Sequence, residues 1–420
     1  MMHIGTVIKL ERIKRDMKLE ALAKGVCSVA HLSRIENGQT NPRKEIQQKL
    51  FKRLEINIDN PTSQINTDLQ EKIDEIYRDC VSVINSRDHQ GASNIVSQLS
   101  KLLKSNGLNA KVTIDLNLLL FRMLLLQKEN VNRIFEQMKK IQHANLILNP
   151  LQEFRVYMIT GIAAYGCGQI KYCLNEFTKG AKLMEEIPLS QFERADFLYM
   201  QSIVQTATNR SVEALKNVKY SLEYFRSKLA YRRVIECLIV CGTVYKQLNQ
   251  INQSLEKVHE AERIAIDFQL KNFRGIVYQN ICSFYSIKGD PNRAIMYFKN
   301  SLEYKKKPAE SIYTVFSLVK ETKKLGNEKE LAHWVQIGER MIPKLQEPSR
   351  TLFQIHFNVY QALQSKDELQ IEIQLLVAYD FFKQSSKISQ WKEYGKMLAN
   401  FYERNGQYKK AVQYYKEIVE

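Results

Sequence analysis

Glycine and proline are scarce in this chain, with 16 and 8 residues out of 420. So few breakers exclude a fold of many short strands and turns and leave long helices. No apolar run is long enough to cross a bilayer: the richest, Leu116–Leu126, is short and carries Arg122 in its middle. Met1–Lys9 lacks the apolar core of a signal peptide, so a cytoplasmic protein without a membrane role is expected. Seven cysteines (27, 80, 167, 173, 237, 241 and 282) form no C-x-x-C pair and mostly sit in apolar helical runs. They read as buried, reduced thiols, Cys237 and Cys241 being neighbours on one helix face.

Catalytic signatures are missing as well. There is no P-loop, no H-E-x-x-H and no G-x-S-x-G, and the seven histidines are dispersed. Gly166-Cys167-Gly168 lacks the strand context and third glycine of a dinucleotide site. The expectation is a non-enzyme with no catalytic residue, cofactor or metal ligand. Acidic residues are outnumbered, 45 against 62 Lys and Arg, a net charge of +17. That suits a polyanionic partner but does not identify one. Residues 1–60 hold twelve basic against seven acidic residues, about twice the average density of net positive charge.

What is present begins with Gly25 to Gly38. A glycine turn, Ser28 as a helix N-cap and a closing Glu36-Asn37-Gly38 describe the second helix of a helix-turn-helix. Leu32 and Ile35 face the core, while Ser28, Val29, Ala30, His31, Ser33 and Arg34 face outward. Around it we expect helices over Ile4–Arg15 (with Ile8 in the core), Lys18–Lys24 and Ser28–Asn37. A fourth starts at Asn41-Pro42, with proline near its first turn, and ends near Leu54; a weak fifth lies in Asn57–Ile65. The domain boundaries follow: 1–56, a linker at 57–66, and a second domain over 67–420.

That second domain repeats. Tyr285, Gly289, Ala294 and Phe298 share their spacing with Tyr402, Gly406, Ala411 and Tyr415. The same offsets recur in Tyr245, Asn249, Ser254 and Val258, and in Ala164, Gly168, Cys173 and Phe177. The small residue opening the second helix falls at Ala92, Cys173, Ala214, Ser254, Ala294 and Ala411, with Arg133, Leu331 and Ile371 filling the degenerate slots. Steps of about 40 residues imply nine helix pairs. A pair cannot bury its apolar face alone, so pairs must stack into a superhelix. Inward-facing positions include Arg122, Arg155, Asp196, Tyr199, Glu236, Thr243, Gln279, Ser283, Tyr313 and Phe316, with Asn280 at the edge. Mixed charged, amide and aromatic groups suit an extended peptide; an ordinary solvated groove is the alternative.

Residues 4–56 resemble the Xre/Cro-type helix-turn-helix of phage repressors, through Leu22-Ala23, Gly25-Val26, Ile35-Glu36-Asn37-Gly38 and Pro42. The resemblance implies base contacts from Ser28, Val29, Ala30 and Arg34, and phosphate or groove-edge contacts from Lys18, Asn37 and Lys44. It assigns Arg12 and Glu36 to a structural ion pair. His31 is left open between a base, a phosphate and solvent. A helical cap that no longer binds DNA is the alternative.

Residues 67–420 resemble tetratricopeptide repeats with longer connections. The whole is an all-α chain: a helix-turn-helix domain followed by a right-handed superhelix of about nine repeat pairs. This combination resembles the Rap/NprR/PlcR/PrgX family of peptide-pheromone regulators in Gram-positive bacteria, NprR above all in its number of repeats. The resemblance implies a homodimer or higher homo-oligomer that binds a double-stranded DNA operator and is gated by a short signalling peptide in the repeat groove. Arg122, Arg155, Asp196, Tyr199, Glu236, Gln279, Asn280, Tyr313 and Phe316 would line that groove, Asn280 clamping peptide backbone. The competing expectation is a repeat domain that sequesters a phosphorelay response regulator or another protein, with DNA binding secondary.

Overall fold

The computed structural model describes residues 4–56, 67–105, 108–127, 130–144, 146–305, 307–385 and 387–419, and every regular element among them is helical. The expected linker at 57–66, with the weak fifth helix, lies outside the described residues. The chain divides into two compact units, Met1–Gln250 and Ile251–Glu420.

The first unit opens with α1 (Ile4–Lys14), α2 (Leu19–Ala23), α3 (Val29–Glu36) and α4 (Lys44–Leu54). It continues with α5 (Thr67–Ser86), α6 (His89–Leu102), α7 (Ala110–Gln127), α8 (Val131–His143), α9 (Pro150–Gly166), α10 (Ile170–Met184), α11 (Gln191–Ala207), α12 (Ser211–Ser227) and α13 (Tyr231–Gln247). The second unit contains α14 (Ile251–Asp267), α15 (Lys271–Lys288), α16 (Pro291–Glu303), α17 (Pro308–Lys324), α18 (Glu328–Met341), α19 (Ser349–Ser365), α20 (Glu368–Gln384), α21 (Ile388–Arg404) and α22 (Tyr408–Val419). From α5 to α22 there are eighteen helices in chain order, matching the nine expected pairs.

Helices α1 to α4 close on Val7, Ile8, Leu22, Leu32, Ile35, Leu50 and Leu54, all fully buried. Each such side chain contributes about 1.5–3 kcal/mol. Ser28 caps α3, its side chain accepting the His31 amide at 3.2 Å. Gly38 ends α3 at φ 70°, and the Gly38 and Gln39 amides donate to the Ile35 and Arg34 carbonyls, closing a Schellman turn. Proline placement differs from expectation. Arg43 is extended (φ −61°, ψ 148°) and forms the N-cap of α4, so Pro42 sits before the helix rather than in its first turn. At Gly5, α1 and α3 nearly touch: a Cβ there would lie 1.8 Å from the Ile35 carbonyl oxygen.

The repeat slots behave as their spacing demands. Ala92, Cys173, Ala214, Ser254, Ala294, Leu331 and Ala411 are buried, and the turn residues Gly168, Asn249, Gly289 and Gly406 adopt left-handed φ. Arg133 departs: its side chain is exposed and reaches Asp16 instead of filling a core slot. Close backbone approach is explicit at Gly161 of α9, where a Cβ would meet the Phe177 ring at 2.9 Å. Five cysteines are buried and Cys27 and Cys167 half-buried, all of them free thiols.

Candidate DNA-reading face and charged inner wall

Helix α3 is held by a bidentate ion pair behind it. Arg12 Nε and Nη2 donate to the two Glu36 oxygens, each at 2.7 Å. Arg53 Nη1 ties the end of α2, donating to the Leu22 and Lys24 carbonyls at 2.8 and 2.6 Å. On the other side, Ser28, Val29, Ala30 and Arg34 are exposed, Val29 at 39 %, and His31 is half-buried. Lys18, the N-cap of α2, and Lys44, opening α4, are exposed too. Asn37 is exposed, but its amide oxygen already accepts from Lys9 Nζ at 2.7 Å. Seven of the eight expected DNA contacts are therefore solvent-facing in the free chain.

The opposite flank of this domain is docked on α7 and α8. Asn117 of α7 donates to Glu11 at 2.8 Å and accepts from Lys14 at 2.7 Å. Gln137 of α8 donates to the Lys14 carbonyl at 2.9 Å, and Lys140 and Arg133 pair with Asp16 at 2.9 and 3.3 Å. Lys9 Nζ also donates to the Ala144 carbonyl. Burial alone would raise the Glu11 carboxyl, but Lys14 and Arg15 outweigh it and hold it below its ordinary value.

The second cluster lies where α5 meets α7, α9, α11 and α13. Arg122 Nη2 and Arg233 Nη2 donate to the two oxygens of Asp196, each at 2.8 Å. Arg87 grips Glu236 through Nε at 2.8 Å and Nη2 at 2.7 Å. Arg155 donates to Glu193 at 2.8 Å and to Asp115 at 3.4 Å. The fully buried Arg233 guanidinium is sandwiched 4.4 Å from the ring centroids of both Tyr199 and Phe225. Burial works against ionised Asp196, yet Arg122, Arg233 and Arg87 pull its carboxyl far below the usual range. Glu236, half-buried, is lowered by Arg87 and Arg233 against the burial that would raise it. Arg122 Nε and Arg233 Nε and Nη1 are buried without a hydrogen-bond partner.

Five expected groove residues, Arg122, Arg155, Asp196, Tyr199 and Glu236, are thus brought together. They are held in ion pairs and contacts within the wall rather than open, Arg122 with Asp196, Arg155 with Glu193 and Glu236 with Arg87, and Arg122, Asp196 and Tyr199 are buried. Thr243 turns its hydroxyl onto the Ile239 carbonyl at 2.9 Å. Sequence reasoning missed Arg87 and Arg233. The signal for Arg87 is its place in a repeat turn; Arg233 carries none.

The second unit holds the other four. Gln279 accepts from Lys305 at 2.7 Å and Thr314 at 2.6 Å. Asn280 donates to the Ile276 carbonyl at 2.8 Å, and Ser283 donates to the Asn280 carbonyl at 2.8 Å. Tyr313 is 54 % exposed and stands edge-on to Phe353 at 4.7 Å. Phe316 differs from expectation: it is buried against Phe353, His356, Phe357 and Tyr360, because the aromatic residues of α19 draw it into the core. Among the described residues no three His, Cys, Asp or Glu side chains converge as metal ligands, and no helix is long and apolar enough to cross a membrane.

Residues 8–59 match the helix-turn-helix family model and residues 397–420 a tetratricopeptide repeat model. The transcriptional activator NprA of Geobacillus stearothermophilus is 24 % identical over 406 residues, 94 % of this chain and 97 % of that protein. The apo form of the quorum sensor NprR from B. thuringiensis superposes with a TM-score of 0.70 at 19 % identity, over 84 % of this chain and 98 % of that one. NprR in complex with its cognate peptide NprX gives 0.59 at 19 % identity, over 85 % and 98 %. A helix-turn-helix at the amino end, repeat pairs through to the carboxyl end, and a likeness to NprA along nearly its whole length make the chain similar to these regulators in fold and domain order.

Proposed function

We propose that the protein is a DNA-binding transcriptional regulator whose affinity for its operator is set by a short signalling peptide held on the inner faces of the repeat helices. The observation that carries this reading is the exposed face of α3: Ser28, Val29, Ala30 and Arg34 are free while the back of the domain is fastened down. The exposed Arg34 matches the fork-shaped donor that reads guanine in the major groove. Lys18 and Lys44 flank it as phosphate contacts, with Asn37 at the groove edge and His31 beside the reading residues. For the peptide, the reading assigns Arg122, Arg155, Asp196, Tyr199 and Glu236 in the first unit. In the second it assigns Gln279, Asn280, Tyr313 and Phe316, Phe316 as the apolar floor beneath exposed Tyr313. The likeness to NprA, named an activator, and to NprR, solved with a cognate peptide, supports both halves. A single such domain reads a half-site, so the working form is a homo-oligomer.

The test is capture of fragmented host DNA by the purified protein at physiological salt, with and without concentrated culture filtrate, and with Arg34→Ala as control. Enrichment of one palindromic site that depends on filtrate and on Arg34 supports the reading. No enriched site in either condition overturns it, and a response regulator trapped by the repeats becomes the leading function.

A further inference from the structure

Helix α5 does not simply begin the stack of repeats. It lies over the charged wall, and its carboxyl end reaches α13: Arg87 grips Glu236 with both ends of its guanidinium, and Arg232 donates to the Ser86 carbonyl. Further back, Tyr77 of α5 lies against Arg155 and Ser190. Between α5 and the wall remains a cavity of about 110 Å³, whose lining includes Tyr77, Ile84, Arg122, Arg155, Phe192 and Asp196. A well-packed helix pair leaves no such space. Two buried guanidiniums at this wall, Arg122 and Arg233, also keep unused donors.

The turn after α5 also carries a long side chain at left-handed φ. The equivalent turns between later pairs place Asn130, Gly168, Asn209, Asn249, Gly289, Gly326, Lys366 or Gly406 at left-handed φ. Glycine and asparagine tolerate that conformation. The first pair places Arg87 there, at φ 50°. Like Lys366 in the eighth pair, Arg87 is a long side chain at a position that favours glycine, and its guanidinium is held by the bidentate grip on Glu236.

We propose that α5 is a built-in occupant of the peptide seat. The signalling peptide that displaces it then carries an apolar side chain for the cavity and a cationic side chain for Glu236. This rests on the peptide-gated reading above and adds the ligand's chemistry. A peptide bound elsewhere in the repeats would leave Arg87–Glu236 intact.

The test uses a probe copied from the occupant itself: a fluorescent synthetic peptide of residues 73–87 with Cys80→Ser. It is titrated by anisotropy into the full-length wild type, Arg87→Ala, Arg87→Lys and Arg87→Ala/Glu236→Gln proteins, with thermal melts of each. The expected result is binding at least tenfold tighter to Arg87→Ala than to wild type, because the resident helix competes less. Adding Glu236→Gln should reverse that gain, as should replacing Arg87 of the probe by alanine. Where Arg87→Ala fails to fold, Arg87→Lys keeps the charge but loses the fork, and a severalfold gain is expected. Equal binding to wild type and the folded Arg87 variants, or a gain indifferent to Glu236→Gln, overturns the proposal. The assay contains neither DNA nor filtrate. Probe binding without filtrate-dependent DNA capture therefore retains the seat and rejects the regulatory reading, and the converse rejects the seat alone.

Discussion

Glu11 and Asn117 meet across the junction of α1 and α7, the amide donating to the carboxylate at 2.8 Å and to the Thr113 carbonyl at 2.8 Å while accepting from Lys14. Every polar atom of this fully buried amide is used. Removing it leaves a buried carboxylate and an ammonium each one partner short, a cost of about 1–3 kcal/mol. Asn117→Ala is therefore expected to loosen the docking. Amide exchange should rise in α1 and stay unchanged in α10 to α12; unchanged exchange in α1 would show that the docking rests on other contacts.

Gly5 allows α1 to lie against the end of α3. Gly5→Ala forces a Cβ into the Ile35 carbonyl, so the reading helix must shift. We expect loss of operator binding with the repeats still folded, measured by DNA retention and circular dichroism on the same sample. Retention at the wild-type level would contradict the close approach.

Arg34 and Lys44 should fail differently. Arg34→Ala is expected to lose about 1–3 kcal/mol on the operator and little on random DNA, because it removes base readout. Lys44→Ala should weaken both alike and reduce the salt dependence of binding by about one released counterion. Salt titrations with both duplexes separate the two roles.

Asp196 is held ionised by two guanidiniums in a buried setting. Breaking such a pair from one side costs about 3–5 kcal/mol. Asp196→Asn should lower the stability of the chain by that order at pH 7. The sign with pH follows from the depressed carboxyl: the stabilisation is complete above the ordinary value of 3.8 and is lost as pH falls toward the lower folded value. Below pH 4 the gap between wild type and Asp196→Asn should narrow in denaturant midpoints; a constant gap would exclude the linkage.

His356 gives the second unit an acid sensitivity. Its ring is buried, its Nδ1 lies 2.6 Å from the Tyr394 hydroxyl, and burial first, then Lys320 and Lys387, push its pKa down to about 3. From pH 6.5 downward the unfolded chain takes a proton that the folded one refuses, so stability falls by about 1.4 kcal/mol per pH unit until the ring protonates. His356→Gln removes that slope. Urea midpoints of the two proteins between pH 7 and 5 should converge as pH drops, and parallel curves would refute the assignment.

What was legible in advance was whatever local chemistry determines. Ser28 and Gly38 bound α3 because capping is decided within a few residues, and the forty-residue step marked the pairs because each needs one small residue and one left-handed turn. Pro42 misled because proline is tolerated both inside and just before a helix start, and Arg43 settled which. Glu11 and Asn117 were illegible: a helix-face asparagine in an apolar run and an acid in a basic one reveal no common partner 106 residues apart. The wall was half legible. Periodicity turned Arg122, Asp196 and Glu236 inward, but did not reveal that Arg233 and Arg87 would already pair with the two acids. Phe316 lies on the expected helix but is buried, because its packing depends on aromatic residues of α19.

The fastening of the DNA-binding domain to α7 and α8 also bears on operator architecture. Where two reading helices hang on loose tethers, half-sites can be spaced at many intervals. Here the helix is part of the folded body, so in the homo-oligomer proposed above the separation and angle between two copies of it belong to the assembly itself. Helical phasing then becomes strict: an insertion of about five base pairs between half-sites turns one of them to the far face of the duplex, beyond the reach of the second copy, and an insertion of about ten restores the face but not the distance.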